Sequence, residues 1–261
     1  MDWSWMHAVR PEHAVVAAGV AVRLGVAVAV GGLPLTAGTS LQVRIAAVVA
    51  LAVAAWPSAA VTASSATEPP ALVVVGEAIV GLGLGASLAA VFAAAGWAGT
   101  LLGSVSGLSW ADDFTPEADS QSAGIARLAW WLGLAGFVAA GGHLQLVAGL
   151  IDSFRTLPVG AVAGQGGGLS GMAALVSTAS GTGLGIALAL AGPALAAVLV
   201  FHVAATVAVR VGRVDPGQGM LQSLASLVVL AGVCLAADAW IGGFTTLVQP
   251  ALERCFLDLR H

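Results

Sequence analysis

Seven apolar stretches fill most of this chain: Ala14–Val30, Leu41–Trp56, Ala71–Ala95, Ile125–Ala140, Leu169–Ala191, Ala194–Val211 and Leu221–Ile241. A helix that crosses a bilayer needs about 20 predominantly apolar residues, within a range of about 17–25. Several stretches reach that length. Leu41–Trp56 and Ile125–Ala140 are shorter, and fit a buried hairpin inside an assembly at least as well as a full crossing. Charged residues make up only 8% of the 261, where a soluble domain carries about 25%. That deficit excludes an ordinary cytosolic enzyme and a disordered chain. Nine arginines, no lysine and a net charge of −4 exclude a basic nucleic-acid surface. The 35 glycines fit membrane helices, whose backbones approach closely through small residues. The chain reads as an all-α, multi-helix integral membrane protein.

The breaks between stretches are rich in proline, glycine and acid. Pro34 and Gly38 close the first helix, and Pro57-Ser58-Ala59-Ala60 through Glu68-Pro69-Pro70 read as a proline-flanked loop. The most polar loop holds Asp112, Asp113, Pro116, Glu117 and Asp119. Pro158 to Gly168 is a glycine-rich connection, and Asp215-Pro216-Gly217 ends the penultimate run. No period of about 20–50 residues repeats, so residues 1–261 are expected to form a single membrane domain. The first helix is interrupted by Arg23 and lacks the full pattern of a cleavable signal, so it is expected to stay in the mature protein. Seven crossings would put four arginines of the loops on each side, which fixes no orientation. Cys234 and Cys255 form no CxxC pair or disulfide framework.

Arg23 and Glu77 stand out because each lies inside an apolar run. At a bilayer centre each costs about 2.5–3.5 kcal/mol by insertion scales, so such residues face protein or water and find partners. They can serve an ion pathway, or more simply form buried polar contacts. Asp238 and His202 are read in the same way. Gly99, Gly103 and Gly107 share one helix face, as do Gly81 with Gly85 and Gly181 with Gly185, and all three faces read as close-packing surfaces.

Two other classes leave traces. Gly168-Leu169-Ser170-Gly171 matches the GxSG string of rhomboid proteases, with His202 on a later apolar stretch. A Ser–His pair needs the imidazole within hydrogen-bond reach of the hydroxyl, and only 32 residues, little more than one hairpin, separate Ser170 from His202. The chain also has no asparagine to match the rhomboid oxyanion group, so the GxSG string reads as a chance match. A secondary transporter would show internal repeats with broken helices in matching positions, and no convincing pair is found.

The order of motifs resembles the FliR/SctT family of flagellar and type III secretion export gates. Gly76-Glu77-Ala78-Ile79-Val80-Gly81-Leu82-Gly83-Leu84-Gly85 looks like that family's Gly-Glu helix. Gly103 to Gly107-Leu108-Ser109 and the loop with Pro116 come next. Gly142-His143 and then Ser153-Phe154-Arg155-Thr156-Leu157-Pro158-Val159-Gly160 are similar to the family's "GH…SF…LPIG". Pro193, Arg210 and Pro216 follow in order, and Arg23, Pro34 and Arg44 agree at the N-terminal side. The likeness runs from about residue 20 to about residue 240. The acidity of the polar loop and the absence of an Asn-rich string after Asp215 depart from the pattern.

The resemblance implies helical hairpins that assemble with FliP-like and FliQ-like membrane subunits around a central export channel. FlhB-like and FlhA-like components are implied as further partners, unfolded export substrates as cargo, and the cytoplasmic membrane at the flagellar basal body as the location. The role implied is non-enzymatic, with no cofactor, metal or nucleic acid. Carried over to this chain, a channel plug or gating loop would include Gly107, Leu108, Ser109, Trp110, Asp112, Asp113, Phe114, Pro116, Glu117 and Asp119. Structural and assembly roles would fall to Arg23, Glu77, Gly99, Gly103, His143, Ser153, Phe154, Pro158, Pro193, Arg210 and Pro216.

Overall fold

The computed structural model describes residues 11–31, 40–62, 69–106, 124–139, 141–162, 168–212 and 217–235. Every regular element among them is a helix: α1 (Pro11–Gly31), α2 (Leu41–Thr62), α3 (Pro70–Ser106), α4 (Gly124–Ala139), α5 (Gly142–Thr156), α6 (Gly168–Gly212) and α7 (Gly217–Leu235). Four of these helices are long and apolar enough to cross a membrane on their own: α1, α2, α3 and α6. The all-α membrane class expected from the composition is the class observed.

Local chemistry sets the helix ends. Pro11 and Pro70 occupy the first helical position, where a missing N–H costs nothing and the fixed φ suits a helix. Ser40 precedes α2, and its carbonyl accepts from the Val43 and Arg44 N–H groups at 3.1 and 3.3 Å. Gly141, at φ +72°, turns the chain into α5 in a conformation that L side chains avoid. Pro158 biases Leu157 away from helical angles and stops α5.

Pro57 does not open a loop as the sequence suggested, and Pro193 is carried inside a helix. Pro57 lies inside α2, and Pro57 to Ala60 are helical rather than part of a loop. Pro193 lies inside α6, so Leu169–Ala191 and Ala194–Val211 are one helix of 45 residues. A proline removes one backbone donor. In apolar surroundings, continuing the helix leaves only the carbonyl four residues back without its donor, whereas leaving the helix would strand several groups. Ser170 and His202 therefore belong to a single helix, with no hairpin to return one to the other.

The helices form two compact units. The first comprises α1, α2, α3 as far as Val91, α5 from His143, and α6 as far as Gly181. Its centre is a buried stripe of α3 at Val73, Glu77, Val80, Leu84, Leu88 and Val91, spaced by three and four residues as one helix face demands. Val20, Arg23, Leu24 and Ala27 of α1 and Leu146, Leu150 and Phe154 of α5 are buried in the same unit. Gly81 and Gly85 lie where α1 passes. A Cβ at Gly81 would stand 2.5 Å from the Arg23 carbonyl oxygen, and one at Gly85 would stand 2.9 Å from that of Ala27. This glycine face is a helix-packing surface, as its spacing indicates. Gly181 and Gly185 have nothing within 4 Å of such a Cβ, so that face packs nothing in the described chain.

The second unit holds the rest of α3, α4, the rest of α6, and α7. Its core is largely small: Ala94, Ala95, Ala98, Leu102, Ala126, Ala129, Ala187, Ala191 and Ala225 are all buried. Phe92 and Phe137 meet edge to face at 4.9 Å.

Candidate functional site

Arg23 and Glu77 are the two fully buried charged side chains among the described residues, and they form one ion pair. Arg23 lies 12 residues into α1 and Glu77 lies seven into α3. Arg23 Nε donates to Glu77 Oε2 at 2.5 Å. The close approach of α1 to α3 that makes this possible depends on Gly81, one turn beyond Glu77.

The pair does more than neutralise itself. Arg23 Nη1 donates to the carbonyls of Ser153 at 3.2 Å and Leu157 at 2.8 Å, at the end of α5. Those carbonyls belong to the last turn of a helix and the residue after it, at the negative end of the helix dipole; that of Ser153 also accepts the Leu157 N–H at 2.9 Å, whereas that of Leu157 lies past the helix end, where intrahelical donors run out. A guanidinium suits both jobs. Its planar fork offers donors in several directions at once, which a lysine ammonium on a flexible stem does not. The Arg23 Cζ also lies 4.4 Å from the Phe154 ring centroid, a cation–π contact shielded from water.

Glu77 completes the joint on the far side of Pro158. Its Oε1 accepts the Gly160 N–H at 3.0 Å. Gly160 has φ +88°, so the turn that presents this N–H uses a conformation natural only to glycine. Val159 is buried beside Gly19 of α1, where a Cβ would stand 2.7 Å from Val159 Cγ1 and 3.3 Å from Glu77 Cγ. A third helix adds a bond: the hydroxyl of Thr62, the last residue of α2, is shared between the Phe154 carbonyl at 2.9 Å and the Ser58 carbonyl of its own helix at 2.8 Å. Ser153 Oγ donates to the Leu150 carbonyl and Thr156 Oγ1 to that of Ser153. Side chains from α1, α2 and α3 thus converge on the backbone of residues 153–160.

Of the positions singled out by sequence, Arg23, Glu77, Ser153 and Phe154 meet in this hub, with Pro158 between its two halves. Gly99 and Gly103 are buried on one face of α3 in the second unit. His143 is the second residue of α5, half-buried, with Nδ1 lacking a hydrogen-bond partner. Pro193 lies within α6, and Arg210 is exposed in that helix's last turn. His202 Nδ1 bonds the Val198 carbonyl four residues back at 2.9 Å. The proposed plug residues from Gly107 to Asp119, together with Pro216, Pro34 and Asp238, lie outside the described residues. Three contributors were not anticipated: the Thr62 hydroxyl, the Leu157 carbonyl and the room left by Gly19. Nothing in the sequence marks the first two, because a threonine ending a helix and a backbone carbonyl carry no distinctive pattern.

The fold defines a helical membrane protein whose two fully buried charges among the described residues bond each other and the backbone around α5. Comparison with known proteins narrows that class. Residues 14–213 match the family described as bacterial export proteins, family 1, and the chain belongs to this FliR/SctT family. Over 84 residues it is 36% identical to the flagellar biosynthetic protein FliR of Escherichia coli (strain K12), which covers 32% of each chain. The FliR of Pectobacterium carotovorum subsp. carotovorum is 36% identical over 85 residues, 33% of each chain. The aligned part of the chain therefore spans about a third of the length of these curated relatives.

Proposed function

We propose that this protein is the FliR-like component of a flagellar type III export gate. In this reading it assembles with FliP-like and FliQ-like subunits, meets FlhB-like and FlhA-like components, and helps form and gate a channel for unfolded substrates in the cytoplasmic membrane. The observation that carries the reading is the family match over residues 14–213, which contains every residue of the hub. The two relatives named above are flagellar biosynthetic proteins, which favours the flagellum over an injectisome. In a gate without chemistry of its own, the work of the chain is to hold helices in register, and a buried joint between four helices serves that work.

The acidic loop at Asp112, Asp113, Glu117 and Asp119 is proposed as the plug of the closed channel. Four carboxylates cannot sit in hydrocarbon, so they line water or face protein. The test is purification of the tagged chain from its native host in mild detergent, with its partners identified by mass spectrometry. Stable recovery of FliP-like and FliQ-like proteins supports the reading, and a chain recovered alone and monomeric removes its support.

A further inference from the structure

The Arg23 guanidinium has donors to spare. Its Nε–H goes to Glu77 Oε2 at 2.5 Å, and Nη1 serves the Ser153 and Leu157 carbonyls. Nη2 is buried and has no hydrogen-bond partner among the described residues. Buried donors without a partner are rare in folded proteins, and one on a charged group is the costliest kind. The Arg23 and Glu77 side chains are 0% and 1% exposed, so a lipid or a partner subunit laid against the chain's surface does not reach Nη2. Its acceptor has to lie inside the hub.

The shape of the guanidinium says where. Nη2 stands on the side to which Nε–H points, so Nε–H and one Nη2–H run parallel in a rigid fork. A carboxylate often fills such a fork with both oxygens, as a bidentate pair. Glu77 fills one place only, because its other oxygen, Oε1, accepts the Gly160 N–H at 3.0 Å. Turning the carboxylate to offer both oxygens to Arg23 would strip Gly160 of its acceptor, and so exchange one unbonded group for another. Oε2 meanwhile keeps accepting capacity beyond its bond to Nε, since a carboxylate oxygen takes about two bonds.

We infer that a single buried water occupies the second place on the Arg23 fork, accepting from Nη2 and donating to Glu77 Oε2. The chemistry of the place selects water. Its occupant must accept one bond and donate another. An anion would face the Glu77 carboxylate without compensation, and a metal ion or an ammonium has no lone pair for Nη2. Buried waters in folded proteins serve polar groups of this kind, typically through about two to four bonds each. With the water in place one carboxylate holds two elements, Oε2 staying with α1 and Oε1 with the turn at Gly160. The inference does not rest on the proposed export role, because every contact in it lies within this chain.

The test is an experimental structure of the unmodified full chain. It is purified from its native host in mild detergent, with whatever proteins accompany it, and resolved to about 2 Å so that ordered waters are visible. The inference predicts a water peak within about 2.7–3.2 Å of both Arg23 Nη2 and Glu77 Oε2. A map with ordered waters elsewhere but none at this place overturns it. So does a Glu77 carboxylate turned with both oxygens onto the guanidinium, or an acceptor of the protein itself bonded to Nη2. A water seen in a chain recovered alone would uphold the inference while removing support from the export role, so the two claims fail separately.

Discussion

Removing Arg23 should be among the most costly single changes this chain can suffer. Arg23→Met keeps much of the side chain's volume but leaves Glu77, which is 1% exposed, with the Gly160 N–H as its one remaining partner among the described residues. Breaking a buried pair from one side costs about 3–5 kcal/mol, because a charge is left without compensation. Replacing both charges by apolar side chains is often neutral when an ion pair stands alone. Here it should not be. The double variant Arg23→Met/Glu77→Met still strips the Leu157 carbonyl and the Gly160 N–H of their partners. A buried polar group left unbonded costs about 1–3 kcal/mol, and both residues are half-buried, so the lower end applies. The double variant should remain about 2–3 kcal/mol less stable than the parent. Equilibrium unfolding in mixed detergent micelles, followed by tryptophan fluorescence, gives all three values. A single variant within about 1 kcal/mol of the parent, or full recovery in the double, would refute the hub as a backbone clamp.

Other outcomes follow from the same contacts. Gly81→Val forces branched bulk onto the Arg23 carbonyl and should destabilise the first unit strongly, whereas Gly181→Ala enters open space and should stabilise α6 by about 0.5–1 kcal/mol; the same unfolding assay distinguishes them. Thr62→Val removes the bond to the Phe154 carbonyl and should cost about 0.5–1.5 kcal/mol, less than Arg23→Met under identical conditions. Deletion of Trp110–Asp119 should leave the gate permeable to small solutes, measured as ion leak in growing cells; unchanged conductance sinks the plug assignment while leaving family membership untouched. Ser170→Ala should be silent for motility and membrane proteolysis alike, and loss of any cleavage would revive the protease reading.

Much of the fold was legible because apolar runs of the right length have few alternatives. Where the reading failed, proline was the reason. Pro57-Ser58 looks like a loop entry and Pro193 falls between two apolar stretches, yet both helices continue through them. The sequence shows the missing donor but not the apolar surroundings that make leaving the helix more costly than carrying the proline. α5 was legible only in its ends. Gly142 and Pro158 bracket it, but Gln145, Asp152 and Arg155 keep it out of any list of apolar stretches.

The candidate site was half-legible for a related reason. Arg23 and Glu77 announce themselves as charges in apolar runs. Their pairing spans 54 residues, and no local pattern sets the register between α1 and α3. Gly81 is the nearest clue, since it admits the α1 backbone one turn from Glu77. The carbonyls of Ser153 and Leu157 are identical in sequence to every other carbonyl. Only the folded chain shows that α5 ends beside a buried guanidinium.

The export role is tested most directly by deleting the gene in its native host and measuring filament protein in the culture medium against that in the cytoplasm. The account predicts that secreted filament protein disappears while any pool already made stays inside the cell, and that the intact chain restores secretion. Unchanged secretion in the deletion strain would contradict it.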